Sequence, residues 1–261
     1  MIVDSHAHIS TPRFDQDRAQ VLARARDAGL AAIVDVGCDL ASSEAAAALA
    51  ATEPMVWATA GVHPHEARHW DEGTAEALRA LTARPRVVAV GETGLDFYYD
   101  HSPRETQRRV FRAQLALARE VDLPVVLHVR DAYDEALETL DEAARGPGAP
   151  LRGVAHCFTG DARQAEGFVA RGFCVSFTGV VTFKNARGVR EAAAAVPLGR
   201  LLVETDCPYM APVPLRGKRC EPAHVVHTAR ALADVHGQSP DDLGRTTARN
   251  AARLFGLDLP R

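Results

Sequence analysis

Pro124-Val125-Val126-Leu127-His128 is the stretch whose reading decides the fold. Its apolar residues are consecutive rather than alternating, and Val125 and Val126 are β-branched. A strand of that kind carries apolar side chains on both faces, as strands of a covered parallel sheet do. Pro124 stands at the first position, where a strand tolerates the missing N–H, and a histidine ends the run. Working outward, seven more runs follow the same pattern: Ile2-Val3, Ala31-Ala32-Ile33-Val34-Asp35-Val36, Val56-Trp57-Ala58-Thr59-Ala60, Val87-Val88-Ala89-Val90, Gly153-Val154-Ala155-His156, Phe173-Cys174-Val175-Ser176-Phe177 and Leu201-Leu202-Val203-Glu204.

Between these runs lie helical patterns. Residues 15–28 form one, ended by Gly29. Residues 103–121 form the longest, with Ser102 expected as N-cap, Pro103 at the first helical position and Glu105 completing a capping box. Residues 131–144 precede a Gly146-Pro147-Gly148 turn, and residues 161–170 are closed by Gly172. Residues 221–236 and 241–255 end the chain's helical pattern, and high helix propensity accounts for the alanine-rich stretches 45–51 and 192–195. Eight strands alternating with helices over 261 residues predict an α/β fold, a (β/α)8 TIM-type barrel, which takes roughly 250 residues. The competing arrangement is an open doubly wound sheet; no G-x-G-x-x-G follows the first run, which removes one support for it. No composition break divides the chain, so a single domain over residues 1–261 is expected.

Formal net charge is -4, so no global positive field draws nucleic acid, and an anionic substrate must be held locally by metals or a few cations. The five cysteines contain no C-x-x-C pair and are odd in number, which argues against a disulfide framework or a cysteine zinc knuckle. They read as small buried hydrophobes in a reducing compartment. The N-terminus enters a strand without a basic or apolar leader, and no apolar stretch approaches the roughly 20 residues of a membrane span. A cytoplasmic protein with no membrane partner is expected.

Barrel chemistry sits at the C-terminal ends of strands. His6 and His8 end the first run, His63 and His65 follow the third, and Glu92 follows the fourth. His128 and His156 end the fifth and sixth, and Asp206 follows the eighth. Residues two apart on a strand point the same way, so His6 and His8 suit one shared metal ion. Imidazole suits zinc, manganese and iron, and carboxylates extend the range to magnesium. The alternative, a hydrogen-bonded polar core, would bury many groups that need partners and add little stability.

At these residues the sequence resembles the TatD-type metal-dependent deoxyribonucleases, a branch of the amidohydrolase superfamily. The resemblance covers nearly the whole chain. It runs through Asp4-Ser5-His6-Ala7-His8, Gly61-Val62-His63-Pro64-His65, Gly91-Glu92-Thr93-Gly94-Leu95-Asp96-Phe97, residues 124–130, His156-Cys157-Phe158-Thr159-Gly160, residues 177–185 and Glu204-Thr205-Asp206-Cys207-Pro208-Tyr209. It implies a (β/α)8-type barrel with two divalent metal ions: one on His6, His8 and Asp206, the other on His128 and His156, with Glu92 bridging. Many amidohydrolases bridge with a carboxylated lysine from strand 4; a glutamate takes that place in this branch, and Glu92 fits it. The activities implied are metal-dependent DNA hydrolysis, often 3′-to-5′ exonucleolytic, and in some relatives removal of D-amino acids from tRNA. One departure stands in the loop after strand 8, where the family more often has Asn at the position of Cys220. That puts loop detail and substrate preference in question, not metal binding.

Asp206, after strand 8, is expected to be both ligand and proton acceptor from the attacking water, with Glu92 as its catalytic partner. His63 is expected to face the scissile phosphate, with packing against its loop as the other reading, and His65 and His69 to lie behind the site or at the surface. Arg130 is a candidate bidentate phosphate contact; an ion pair with a neighbouring acid is the alternative. Lys184, Arg216, Lys218 and Arg219 lie on loops past strands 7 and 8, where a solvated loop is the ordinary reading and a nucleic-acid path the functional one. Tyr209 and Phe158 are candidate base-stacking residues, with core packing the alternative for Phe158. His101, His224, His227 and His236 read as surface or packing residues. The substrate expected is DNA, single-stranded or at 3′ ends, cleaved by a monomer. D-Aminoacyl-tRNA or another ester or amide is the alternative, and a non-catalytic metal-binding protein is disfavoured by the full ligand set. His-rich ligation suits Zn²⁺, while carboxylates accept Mg²⁺, Mn²⁺ and Zn²⁺ alike.

Overall fold

A computed structural model describes Met1–Leu259. Its strands are β1 (Ile2–Ala7), β2 (Leu30–Asp35), β3 (Val56–Ala60), β4 (Val87–Asp96), β5 (Val125–Arg130), β6 (Gly153–Ala155), β7 (Cys174–Phe177) and β8 (Leu201–Val203). They form one sheet in chain order, and a parallel bridge between Ala7 and Cys207 brings β1 beside the turn after β8. The helices are α1 (Arg18–Asp27), α2 (Leu40–Thr52), α3 (Glu72–Thr82), α4 (Arg104–Glu120), α5 (Tyr133–Ala144), α6 (Ala162–Ala170), α7 (Arg187–Ala195), α8 (Val225–His236) and α9 (Pro240–Phe255). This is the (β/α)8 barrel class that the alternating runs predict. The chain separates into two compact units: Met1–Asp35 with the segment from Cys157 onward, and Val36–His156.

In the first unit β1 pairs with β2 and β7 with β8, all parallel. Every residue of β1, β7 and β8 is buried, as continuous apolar runs require. Phe158, Phe168, Phe173 and Phe177 interlock edge-to-face, with centroids 6.0–6.4 Å apart. Phe158 is therefore core, and the base-stacking reading of it is corrected: its ring is 2% exposed. Asn250 of α9 donates to the carbonyls of Leu198 and Leu201 and so ties the last helix to the start of β8.

In the second unit β3 pairs with β4, β4 with β5 and β5 with β6. Helix α4 buries Val110, Phe111 and Leu115, each stabilising by about 1.5–3 kcal/mol. Two glutamines on the same helix face do different work. Gln114 accepts from the Val62 N–H and donates to the Val62 carbonyl and the Thr93 hydroxyl. Gln107 accepts from the Asp96 N–H and donates to the Asp96 and Ser102 carbonyls. α4 thus fixes the chain at the ends of β3 and β4, where polar residues cluster.

The structure corrects three local expectations. β4 does not stop at Val90 but runs to Asp96, so Glu92 lies inside the strand rather than after it. One extra residue enters between Val90 and Thr93 relative to β5, a bulge that re-aims the side chain at Glu92. Gly94, at φ +143°, permits the close approach: a Cβ there would collide with the carbonyl oxygen of His128. The capping box at Ser102 is absent, and Pro103 is the N-cap of α4. The Ser102 hydroxyl instead donates to the His65 carbonyl and accepts from the Arg68 N–H, a tertiary partner that outcompetes the local cap. Helix α3, capped by an Asp71–Thr74 box, has no counterpart among the expected helices.

Candidate active site

In the first unit, His6 near the end of β1 and His8 just beyond it bring their Nε2 atoms to 3.2 Å from one another. Asp206 Oδ1 lies 3.7 Å from His6 Nε2 and 3.4 Å from His8 Nε2. Ligand atoms about 2.1 Å from a shared ion stand roughly 3–3.5 Å from one another, so this donor set fits a divalent metal. The backbone holds it from both sides: Asp206 N–H donates to the His6 carbonyl (2.9 Å) and His8 N–H to the Cys207 carbonyl (2.8 Å). Asp206 takes φ +55°, a conformation rare for a non-glycine residue and frequent where function constrains the chain. Asp35 accepts from the N–H groups of Ile9 and Ser10 and so shapes the turn after His8. Beneath, Asp4 accepts from the Thr205 N–H and hydroxyl at 2.9 and 2.6 Å. Burial pushes the Asp4 carboxyl up to about 8 against those hydrogen bonds.

In the second unit, Glu92 Oε1 is the focus. His156 Nε2 lies 2.7 Å from it, His128 Nδ1 3.0 Å and His63 Nε2 3.4 Å. Burial raises the Glu92 pKa, but the charges of His156 and His63 and the hydrogen bond from His128 outweigh it and hold the carboxyl well below its ordinary range. Cys38 Sγ approaches the other oxygen at 3.6 Å. His63 Nδ1 accepts from the His65 N–H at 3.1 Å, which leaves the ring proton on Nε2, facing Glu92. Burial, with the neighbouring His128, pushes His63 down to about 4. His63, Glu92 and His128 form a donor group close enough to hold one ion.

Asp96 is a site residue that sequence reasoning missed. Its Oδ2 lies 3.0 Å from both His128 Nε2 and His65 Nε2. Burial raises its pKa, but the hydrogen bonds from His128 and His65 carry the carboxyl below the ordinary range. His128 is thus held between two carboxylates, which raise its pKa against the effect of burial. The signal was available: residues 92, 94 and 96 share a face once β4 is read past its glycines.

The remaining candidates scatter. Tyr209 is half exposed, 6.5 Å from the His8 ring, with Arg13 over its face. Arg130 lies over Tyr98 and Tyr99 rather than beside an acid. Lys184 is exposed on the turn after β7. Arg219 is committed to Asp17 and Glu221, and Arg216 lies over Phe183, so the basic loop is largely spent internally. Cys220 is buried and accounts for no ligand; its N–H donates to the Pro208 carbonyl.

The family model of TatD-related DNases matches residues 3–256. The chain belongs to this family. An uncharacterized metal-dependent hydrolase, YabD, of Bacillus subtilis (strain 168) is 39% identical over 259 residues, covering 99% of this chain and all of its own length. The 3′-5′ ssDNA/RNA exonuclease TatD of Erwinia billingiae is 41% identical over 262 residues, covering 97% of this chain and 98% of its own. Among solved structures, the TatD homolog YjjV of Escherichia coli superposes with a TM-score of 0.92 at 30% identity, covering 98% of each chain. That solved relative superposes on the barrel described above, and His6, His8, Glu92, His128, His156 and Asp206 lie in the C-terminal halves of their strands or just beyond them, the end of the barrel where that fold places its chemistry.

Proposed function

We propose that the chain is a two-metal phosphodiesterase that removes nucleotides from the 3′ ends of single-stranded DNA. The observation that carries this reading is the crowding of three imidazole nitrogens within 3.4 Å of one buried carboxylate oxygen of Glu92; His6, His8 and Asp206 form a donor set of their own at β1. In this reading His6, His8 and Asp206 would hold one divalent ion and His128 and His156 the other, with Glu92 available to both. When bound, Mg²⁺, Mn²⁺ or Zn²⁺ would supply a water that ionises near neutral pH and would neutralise phosphate charge. Asp206 accepts the proton of the attacking water at a carboxylate oxygen. His63, whose Nε2–H faces Glu92, and Arg130, through its guanidinium, are assigned to the side of the site that the phosphate enters. Asp96 keeps the His128 ring oriented through Nε2, which favours the Nδ1 lone pair for an ion. Tyr209 and Lys184 are assigned to the path of the strand.

The exonuclease names of relatives near 40% identity support the substrate class. No disulfide forms among the described residues, which supports our reading of a reducing, cytoplasmic setting. We further propose that the chain acts as a monomer and as a single domain over residues 1–261. The test offers purified protein, supplied in turn with Mg²⁺, Mn²⁺ and Zn²⁺, single-stranded and duplex DNA labelled at either end, with D-aminoacyl-tRNA alongside. Metal-dependent shortening of single strands from the 3′ end is expected. Absence of metal-dependent cleavage of any DNA overturns the reading, and release of D-amino acids instead would move it to ester hydrolysis.

A further inference from the structure

Three arginines surround the turn after β4, and two are occupied. Arg104 lies 4.5 Å over Phe97 and pairs with Asp100 at 2.9 Å; Arg108 lies 5.2 Å over the same ring and pairs with Glu105 and Glu135. Arg130 differs. Its guanidinium stands 4.0 Å from the Tyr98 ring centre and 4.8 Å from that of Tyr99, with no ion pair among the described residues. Its donors therefore remain available to a ligand. Tyr98 and Tyr99 are 57% and 50% exposed, two adjacent large rings turned to water. Such a patch marks a contact surface more readily than an isolated exposed residue does.

The ledge is pinned to the site. The backbone N–H groups of Tyr98 and Tyr99 donate to Asp96 Oδ1 at 3.0 and 2.9 Å, while Asp96 Oδ2 faces His128 and His65. The β4–β5 register sets Asp96 opposite Arg130 and Gly94 opposite His128. Ring contacts run without a break from His128 to His63 (4.3 Å), His65 (4.3 Å), Tyr99 (5.5 Å) and Tyr98 (4.8 Å). Tyr99 also stacks on His101 with 7° between the planes.

We propose that Tyr98, Tyr99 and Arg130 form a nucleotide subsite, in which an unpaired base of the substrate strand stacks on the more exposed Tyr98 ring, with Tyr99 standing edge-on to it at 88°, and Arg130 holds a phosphate of the same strand. This rests on the nuclease reading above and deepens it. Every base offers a π-face, so the ledge is tolerant of sequence. A base paired within a duplex has both faces covered by its neighbours, so the ledge selects single strands. The guanidinium, already lying over the rings, offers a planar fork to phosphate without giving up a competing acid.

The test measures binding by fluorescence anisotropy on the full-length, Mg²⁺-loaded protein. The probes are a single-stranded oligonucleotide with phosphorothioate linkages at its 3′ end, which slow cleavage, and the same backbone made abasic over its last few nucleotides. Replacing both tyrosines by alanine (Y98A with Y99A) is expected to weaken binding of the base-bearing probe by about 5- to 100-fold, the range for losing a stacked base, and to leave the abasic probe nearly unaffected. The double phenylalanine variant (Y98F with Y99F) is expected to bind as the wild type does, which separates stacking from any loss of fold. Arg130→Ala is expected to weaken both probes and to flatten the salt dependence by about 0.7 in log–log slope, the value for one phosphate contact on a single strand. Unchanged affinity of the double alanine variant, or an equal loss on both probes, overturns the subsite while leaving the nuclease reading intact. A wild type that neither binds nor cleaves the base-bearing strand overturns both.

Discussion

The two ligand groups are built differently. In the His6–His8–Asp206 group the only carboxylate lies beyond its strand, on a left-handed residue, 3.4–3.7 Å from the imidazoles. In the other group Glu92 sits on a bulge inside β4, is met by three imidazoles at 2.7–3.4 Å, and has Asp96 behind one of them, His128. The first group is held by turns and the second by the sheet itself. A carboxylate locked by strand geometry and flanked by oriented rings is pre-organised for an ion. The Glu92 group is therefore expected to bind its metal more tightly, and calorimetric titration resolving two steps checks that order.

The sharpest way to break the contrast is Glu92→Gln. It removes the charge that three imidazoles address, and turnover is expected to fall by about 10⁴-fold, with metal content dropping in elemental analysis. Retained activity would show that the crowding at Oε1 serves only the core. Asp206→Asn strikes the looser group, and turnover should fall by roughly 10²–10⁴-fold with the circular dichroism spectrum unchanged. Near-normal turnover would remove Asp206 from proton transfer. Asp96→Asn tests the support behind His128: metal affinity at the tighter step should weaken by about 10–100-fold while the weaker step stays put. Equal weakening of both steps would deny the distinction between the groups. The smallest effect is expected from Gly94→Ala, which must strain the β4–β5 contact. It should cost about 1–3 kcal/mol in chemical denaturation, with the His6–His8–Asp206 group still able to bind metal.

Much of the fold was legible because its signal is local. Consecutive β-branched runs mark strands wherever both faces are covered, and alternation with helical patterns orders them into a barrel. His6 and His8 were readable as a pair for the same reason, since a strand repeats every two residues. Asp96 was not, because Gly91 and Gly94 look like the end of a strand until the neighbouring β5 is seen to demand their close approach. His63 shows the limit in another form: its Nε2 faces a carboxylate on a different strand, and no spacing within residues 61–65 announces that. Ser102 was misread as a helix cap because the carbonyl of His65, distant in sequence, offers its hydroxyl a better partner.

By itself the sequence determined the element types, their order and the residue classes at the strand ends, since periodicity and side-chain chemistry are carried within each segment. Tertiary structure alone decided which oxygen of Glu92 meets which imidazoles, that Asp96 stands behind His128 and His65, and that Arg130 rests on two tyrosines rather than on an acid. Those outcomes depend on strand register and on one bulge, and register is a property of a pair of strands that neither strand encodes alone.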